Sequence, residues 1–201
     1  MTEAAIRSTV PLKLNYSQIE EAILRGREQE SIYGHNTGHF SLKVEKENTV
    51  IGVLGEIAVR DFLASSIVKA LPGATLTMRE FGAEFDLEIS HNKEQSFLHV
   101  KSGLWKTWPE EHWHFGIHAD QGIQNSGYPL VLVSFLRSKG AWPEFLRIEG
   151  FITSDYLSKA QLIKRGQKFP STGVVSRTDN LLTKFSDYQH ISKLSDVLRL
   201  K

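Results

Sequence analysis

The chain contains no cysteine, so neither disulfides nor thiolate metal sites are open to it, and a reducing compartment is the expected setting. No run approaches the eighteen or so consecutive apolar residues of a membrane span. The first residues, MTEAAIRSTVPLK, also lack the apolar stretch that follows a basic start in a secretory signal. A cytoplasmic protein with no membrane partner is therefore expected. An excess of charge of one sign is missing as well: 24 Lys and Arg stand against 23 Asp and Glu, a net +1, which argues against a surface that attracts a polyanion everywhere. Internal repeats and low-complexity tracts are absent, so solenoid architectures drop out. What is present is an ordinary globular balance, 40% hydrophobic and 23% charged over 201 residues, the size of a single domain over 1–201.

The charge is nonetheless uneven. From Asp155 to the end, nine Lys and Arg face four Asp and no Glu, an excess of five that leaves the rest of the chain at −4. A basic region over 155–201 can form a local phosphate-binding face, with Lys159, Lys164, Arg165 and Lys168 as the residues to follow a nucleic-acid backbone. A solvated helix face is an equal contender.

Periodicity divides the chain. Ser17 with Glu20 forms a capping-box pattern ahead of Ile19, Ala22 and Ile23, which predicts a helix over 17–30 after a loose N-terminal segment. The stretch YGHNTGHF reads as a loop, with His35 and His39 as loop residues rather than a ligand pair. Asn48 or Thr49 can cap a second helix whose stripe is Val50, Val53, Leu54, Ile57, Ala58 and Phe62, ending before Pro72-Gly73. From Ala74 the period changes to two: Leu76 and Met78, then Phe85, Leu87 and Ile89, then Phe97-Leu98 leading into His99-Val100-Lys101, with turns at Gly82 and at HNKEQ. These are three strands of an antiparallel meander. A Trp-rich loop to about His118 and a short polar segment to Gly127 follow. LVLVSFLR is the continuous apolar run of a central strand, FLRIEGFI is another strand, a helix capped by Ser154 or Asp155 runs to Gly166, and a terminal helix lies near Leu194. The expected fold class is α/β, a mixed central sheet that begins with an antiparallel meander and is flanked by helices.

A half-buried strand needs no more than apolar residues on one side and arbitrary polar ones on the other, so FDLEISHNKEQSFLHVKSG carries a surplus. Asp86 starts the middle strand of the meander. His99 and Lys101, two apart, share one face of the next strand. If the two strands pair through the short turn, a carboxylate, an imidazole and an ammonium group converge at one place. An Asp and a His there would hold a divalent cation, with the amine beside it.

In that order and spacing the chain resembles the PD-(D/E)xK nuclease superfamily, which pairs an Asp at the start of one strand with an acidic residue, a spacer and a Lys on the next. Many members add a Glu on the helix before the meander, and GVLGEIAVRDFL supplies Glu56 behind Gly52 and Gly55. The resemblance covers roughly Thr49 to Ile152 and implies a restriction-endonuclease-like core over about 49–152. It also implies Asp86, His99 and Glu56 as ligands of Mg²⁺ or Mn²⁺, and catalysis by Glu56, Asp86, His99 and Lys101. One position departs from the pattern: His99 stands where the family has Glu or Asp, which removes one negative charge and shifts preference from Mg²⁺ towards Mn²⁺ or a later metal. The function implied is a metal-dependent endonuclease that cuts double-stranded DNA, of restriction or phage-associated type, possible as a homodimer.

Two alternatives stand beside it. His99 motivates a DNA-binding protein on the same fold with weakened catalysis. WKTWPEEHWHFGIH, with His112, His114, His118, Glu110 and Glu111, motivates a small metal-binding enzyme. In the same loop Lys106 and Trp108, with Trp105 and Trp113, are either DNA contacts or covers for the core. Gln124 and Tyr128 have a Gln-x3-Tyr spacing found in one branch of the superfamily, here interrupted by Gly127 and Pro129.

Overall fold

The apolar run LVLVSFL becomes a strand buried at every residue but the last, and a strand of that kind needs cover on both faces. It lies in the middle of a six-stranded mixed sheet. The structure, a computed structural model, describes residues 11–33, 42–80, 84–121, 123–139 and 142–198. Its elements are β1 (Leu12–Lys13), α1 (Tyr16–Tyr33), α2 (Leu42–Leu63) continued by a π-helical turn, β2 (Thr75–Met78), β3 (Leu87–His91), β4 (Glu94–Trp105) and β5 (His114–His118). There follow β6 (Leu130–Leu136), β7 (Phe145–Ile152), α3 (Ser154–Ser158), β8 (Gln161–Ile163), β9 (Asn180–Lys184) and α4 (Leu194–Val197). Short 3-10 turns connect several of them.

The large sheet has the order β1-β7-β6-β4-β3-β2. β2, β3 and β4 are the expected antiparallel meander, and β4 pairs β6 in parallel, His99 opposite Leu130 and Lys101 opposite Leu132. One face is packed by α1 and α2: Ala22, Val53, Leu54 and Ile57 meet Leu87, Ile89, Leu98, Val100, Val131 and Phe135 in one core. The other face meets a second, antiparallel sheet of order β5-β9-β8. There Leu130, Leu132 and Ile152 pack with Ile117, Leu181, Phe185 and Tyr188. No helix among the described residues is long and apolar enough to cross a membrane.

Several expected boundaries differ. The first helix is capped by Asn15, whose Oδ1 accepts the Gln18 N–H at 2.8 Å while Gln18 Oε1 accepts the Asn15 N–H at 3.1 Å; the reciprocal box thus sits two residues before Ser17 and Glu20. α2 starts at Leu42 rather than at Asn48 or Thr49, because LKVEKE upstream is built of good helix formers. The helix expected to reach Gly166 stops at Ser158, because Gln161–Ile163 pairs with β9 instead. β5 replaces part of the Trp-rich loop, and the N-terminal segment is tied down where Leu12 and Lys13 pair with β7. The loop residues His35 and His39, and the turn at Gly82, lie outside the described residues.

Candidate functional site

The meander sets up the site by ending unevenly. β3 and β4 are joined by a two-residue turn in which Asn92 and Lys93 both have positive φ, 50° and 69°, the backbone of a type I′ hairpin. From there the ladder runs back to Leu87 opposite Leu98 and ends, while β4 continues to Trp105. Asp86 occupies the place where the next rung would be. Its N–H donates to Leu98 O at 2.9 Å, and its Oδ2 accepts the Val100 N–H at 2.7 Å. The carboxylate thus satisfies a backbone donor that the departing strand leaves open.

Alternation along β4 separates its side chains. Val100 belongs to the core under α2, and Ser102 abuts Gly55 so closely that a Cβ at 55 would sit 1.9 Å from Ser102 Oγ. His99 and Lys101 project to the opposite face. The absence of a side chain at Gly55 lets α2 cross β4 closely, and this places the next residue, Glu56, within electrostatic reach of Asp86 and Lys101. Its carboxyl is pushed up to about 8, first by burial and then by the Asp86 charge, with Lys101 and Arg25 opposing.

His99 is buried, 6% exposed. Desolvation lowers its pKa, Asp86 opposes this and Lys101 adds to it, so the imidazole is neutral at neutral pH. Its Nε2 lies 2.9 Å from Ser126 Oγ. The Ser126 hydroxyl donates its one proton to Ile123 O at 2.8 Å, so Ser126 accepts from His99. That bond assigns the Nε2–H tautomer and leaves the lone pair on Nδ1.

The four groups therefore interact by charge around the start of β3, Asp86 also through a direct bond to β4. As the side chains stand, no three His, Cys, Asp or Glu among the described residues form a metal-holding cluster. The set that approaches one is two carboxylates, one of them ready to hold a proton, with an imidazole lone pair and an ammonium group close by.

The remaining expected residues are scattered. Lys106 is exposed just beyond β4. Trp108 is half-buried, with the Arg147 guanidinium 4.7 Å over its ring, and Arg147 is itself bound to Glu149 and Pro109 O. Trp105 and Trp113 pack on the second core, their centroids 5.9 Å apart, which is the cover role rather than an open stacking surface. Lys164, Arg165 and Lys168 are exposed in the segment after β8, not on a helix. Lys164 pairs with Asp179 at 2.7 Å, and the Arg165 N–H donates to the same carboxylate. His112 is exposed beside Glu110, and His114 and His118 lie on β5 without forming a ligand cluster. Gln124 donates to Ala119 O at 3.3 Å, whereas Tyr128 packs on Phe97, Phe85 and His99, with centroids 5.1 to 5.9 Å away.

Ser126 and Arg25 were not among the expected site residues. Each meets the site through tertiary packing from a distant part of the chain, and no local pattern marks either. A scan against protein-family models finds no match for this chain, and neither does a search of curated proteins.

Proposed function

We propose that the protein is a divalent-metal-dependent endonuclease on a restriction-endonuclease-like core, hydrolysing phosphodiester bonds in double-stranded DNA. One observation carries this reading: Asp86, just before β3, has its carboxylate on the Val100 N–H, between His99 and Lys101, and adds to burial in raising the pKa of Glu56 from the adjoining helix. Two carboxylates that share a partly buried place repel one another, and a cation relieves that repulsion.

The donor chemistry fits a metal. Asp86 keeps Oδ1 free of the Val100 bond, Glu56 gives up its proton, and His99 offers Nδ1 because Ser126 holds Nε2. A bound dication supplies a water of lowered pKa and neutralises charge on the scissile phosphate. Lys101 stabilises the charge that develops on the phosphoryl oxygens. Ser126 fixes the His99 ring, and the Val100 N–H fixes Asp86, so neither ligand has to be ordered when substrate arrives. With one neutral ligand in the set, Mn²⁺ supports the reaction better than Mg²⁺. Lys106, Trp108, Arg165 and Lys168 are the residues proposed to meet the DNA backbone, with Lys164 weakened in that role by Asp179.

The test incubates supercoiled plasmid with protein and Mg²⁺ or Mn²⁺, comparing wild type with Asp86→Ala and Lys101→Ala. Metal-dependent nicking lost in both variants supports the reading; equal nicking by all three proteins rules out this site. A second reading, a DNA-binding protein on the same core without cleavage, is favoured by the absence of a three-residue ligand cluster among the described residues. In that case wild type shifts DNA in a gel and leaves it intact with either metal.

A further inference from the structure

The second sheet has chemistry of its own that the Asp86 site does not use. Between α3 and the outer face of β9 lies a cleft of about 480 Å³, bordered by His114, Tyr156, Lys159, Leu182, Lys184 and Asp187. That volume is in the range of small-molecule sites and larger than a bare inorganic anion requires. His114 and Lys184 are cross-strand partners, so their side chains leave the sheet on the same side.

The cleft's charges are arranged unequally. Asp187 is already engaged: the Tyr156 hydroxyl donates to its Oδ2, as does the Lys184 N–H at 3.3 Å, and Ser186 donates to Oδ1 at 3.4 Å. Lys159 and Lys184 are exposed ammonium groups with no ion-pair partner among the described residues. Burial, then the charge of Lys184, lowers the pKa of His114 and keeps it a neutral hydrogen-bonding group. Asp155, also on the rim, remains as an acceptor. The cleft thus offers two cations to an anionic group, an apolar wall from Leu182 and Ala160, and a carboxylate to a hydroxyl or amino donor.

We propose that this cleft binds a nucleoside phosphomonoester, with Lys159 and Lys184 on the phosphate and Asp155 accepting from the sugar or base. The source is either a free nucleotide or the 5′-phosphorylated end of a strand, which share that chemistry. The site needs no metal and none of Glu56, Asp86, His99 or Lys101, so it stands or falls separately from the nuclease reading.

The test is calorimetric titration of metal-free full-length protein with dAMP, deoxyadenosine and inorganic phosphate. The expected result is binding of dAMP, little or none of deoxyadenosine, and an affinity at least about tenfold weaker in the double variant Lys159→Gln/Lys184→Gln, with Lys193→Gln, in the turn before α4 and not part of the cleft border, as an unaffected control. Both substituted lysines are exposed, and an unchanged melting temperature verifies that the variant is folded. A 5′-phosphorylated oligonucleotide that outcompetes its 5′-hydroxyl counterpart assigns the strand end; no such preference assigns the free nucleotide. Absence of dAMP binding at millimolar concentration, equal binding of deoxyadenosine, or an affinity untouched by the double substitution overturns the proposal.

Discussion

Glu56 is a carboxyl group whose folded-state pKa, about 8, lies well above its ordinary value near 4.5. Between those values the folded protein holds a proton that the unfolded chain has released, so stability falls as pH rises through the window and levels off above it. The metal-free protein is therefore expected to melt lower at pH 8.5 than at pH 5 from this group alone. Glu56→Gln should raise the melting temperature by a few degrees at pH 8.5 and leave it nearly unchanged at pH 5, read by calorimetry in the presence of EDTA. If the variant gains nothing at the higher pH, the two carboxylates do not share a partly buried place. Lys101 is tested on the rate side: its removal is expected to lower cleavage by about 10²- to 10³-fold with DNA binding retained, the scale of losing one preorganised charge at a reacting centre.

At the scale of elements, two close approaches set the site, and each makes a prediction. α2 can cross β4 only because Gly55 has no side chain. Gly55→Ala is favoured by helix propensity, yet it should destabilise the protein by about 1–3 kcal/mol through overpacking against Ser102. Ser102 Oγ is buried without a hydrogen-bond partner, so Ser102→Ala alone should be near neutral and should relieve much of the Gly55→Ala penalty; urea denaturation of the two single variants and the double variant measures this. In the turn between β3 and β4, Lys93 has a positive φ of 69°, and Lys93→Gly should stabilise by about 0.5–1 kcal/mol. This meander and α2 were legible in the sequence because their signals are local: a stripe of period 3.6 and alternations of period two with polar turns. β5, β8 and β9 were not, because the pairing of Gln161–Ile163 and His114–His118 with residues near 180 gives Leu162 and Ile163 strand partners that no window around them reveals. The cap at Asn15 was misplaced by two residues, since Asn15 with Gln18 and Ser17 with Glu20 have the same spacing and only the hydrogen bonds distinguish them. The polar surplus of Asp86, His99 and Lys101 was visible from spacing and Glu56 was named only through the family resemblance, whereas the Ser126 bond that sets the His99 tautomer depends on a turn 27 residues away.

At the scale of the whole molecule, the large sheet is covered by helices on one face and by the small sheet on the other, and the Asp86 group lies where β3 begins and β4 runs on past it. Of the basic residues in the C-terminal region, Lys164, Arg165 and Lys168 follow β8 and Lys184 ends β9, with Lys164 already paired to Asp179. If the proposed DNA contacts hold, Arg165→Ala/Lys168→Ala should weaken binding similarly for unrelated sequences and reduce the slope of log affinity against log salt by about 2, whereas Lys164→Ala should change that slope by less than 1. Fluorescence anisotropy over a salt series reads both. The central claim, that the Asp86 and Glu56 carboxylates share a divalent cation beside Lys101, is tested most directly by anomalous diffraction from crystals soaked in Mn²⁺. The result expected is one strong peak between those two carboxylates, within bonding distance of both and next to His99. An empty density there, with manganese bound only elsewhere, would contradict it.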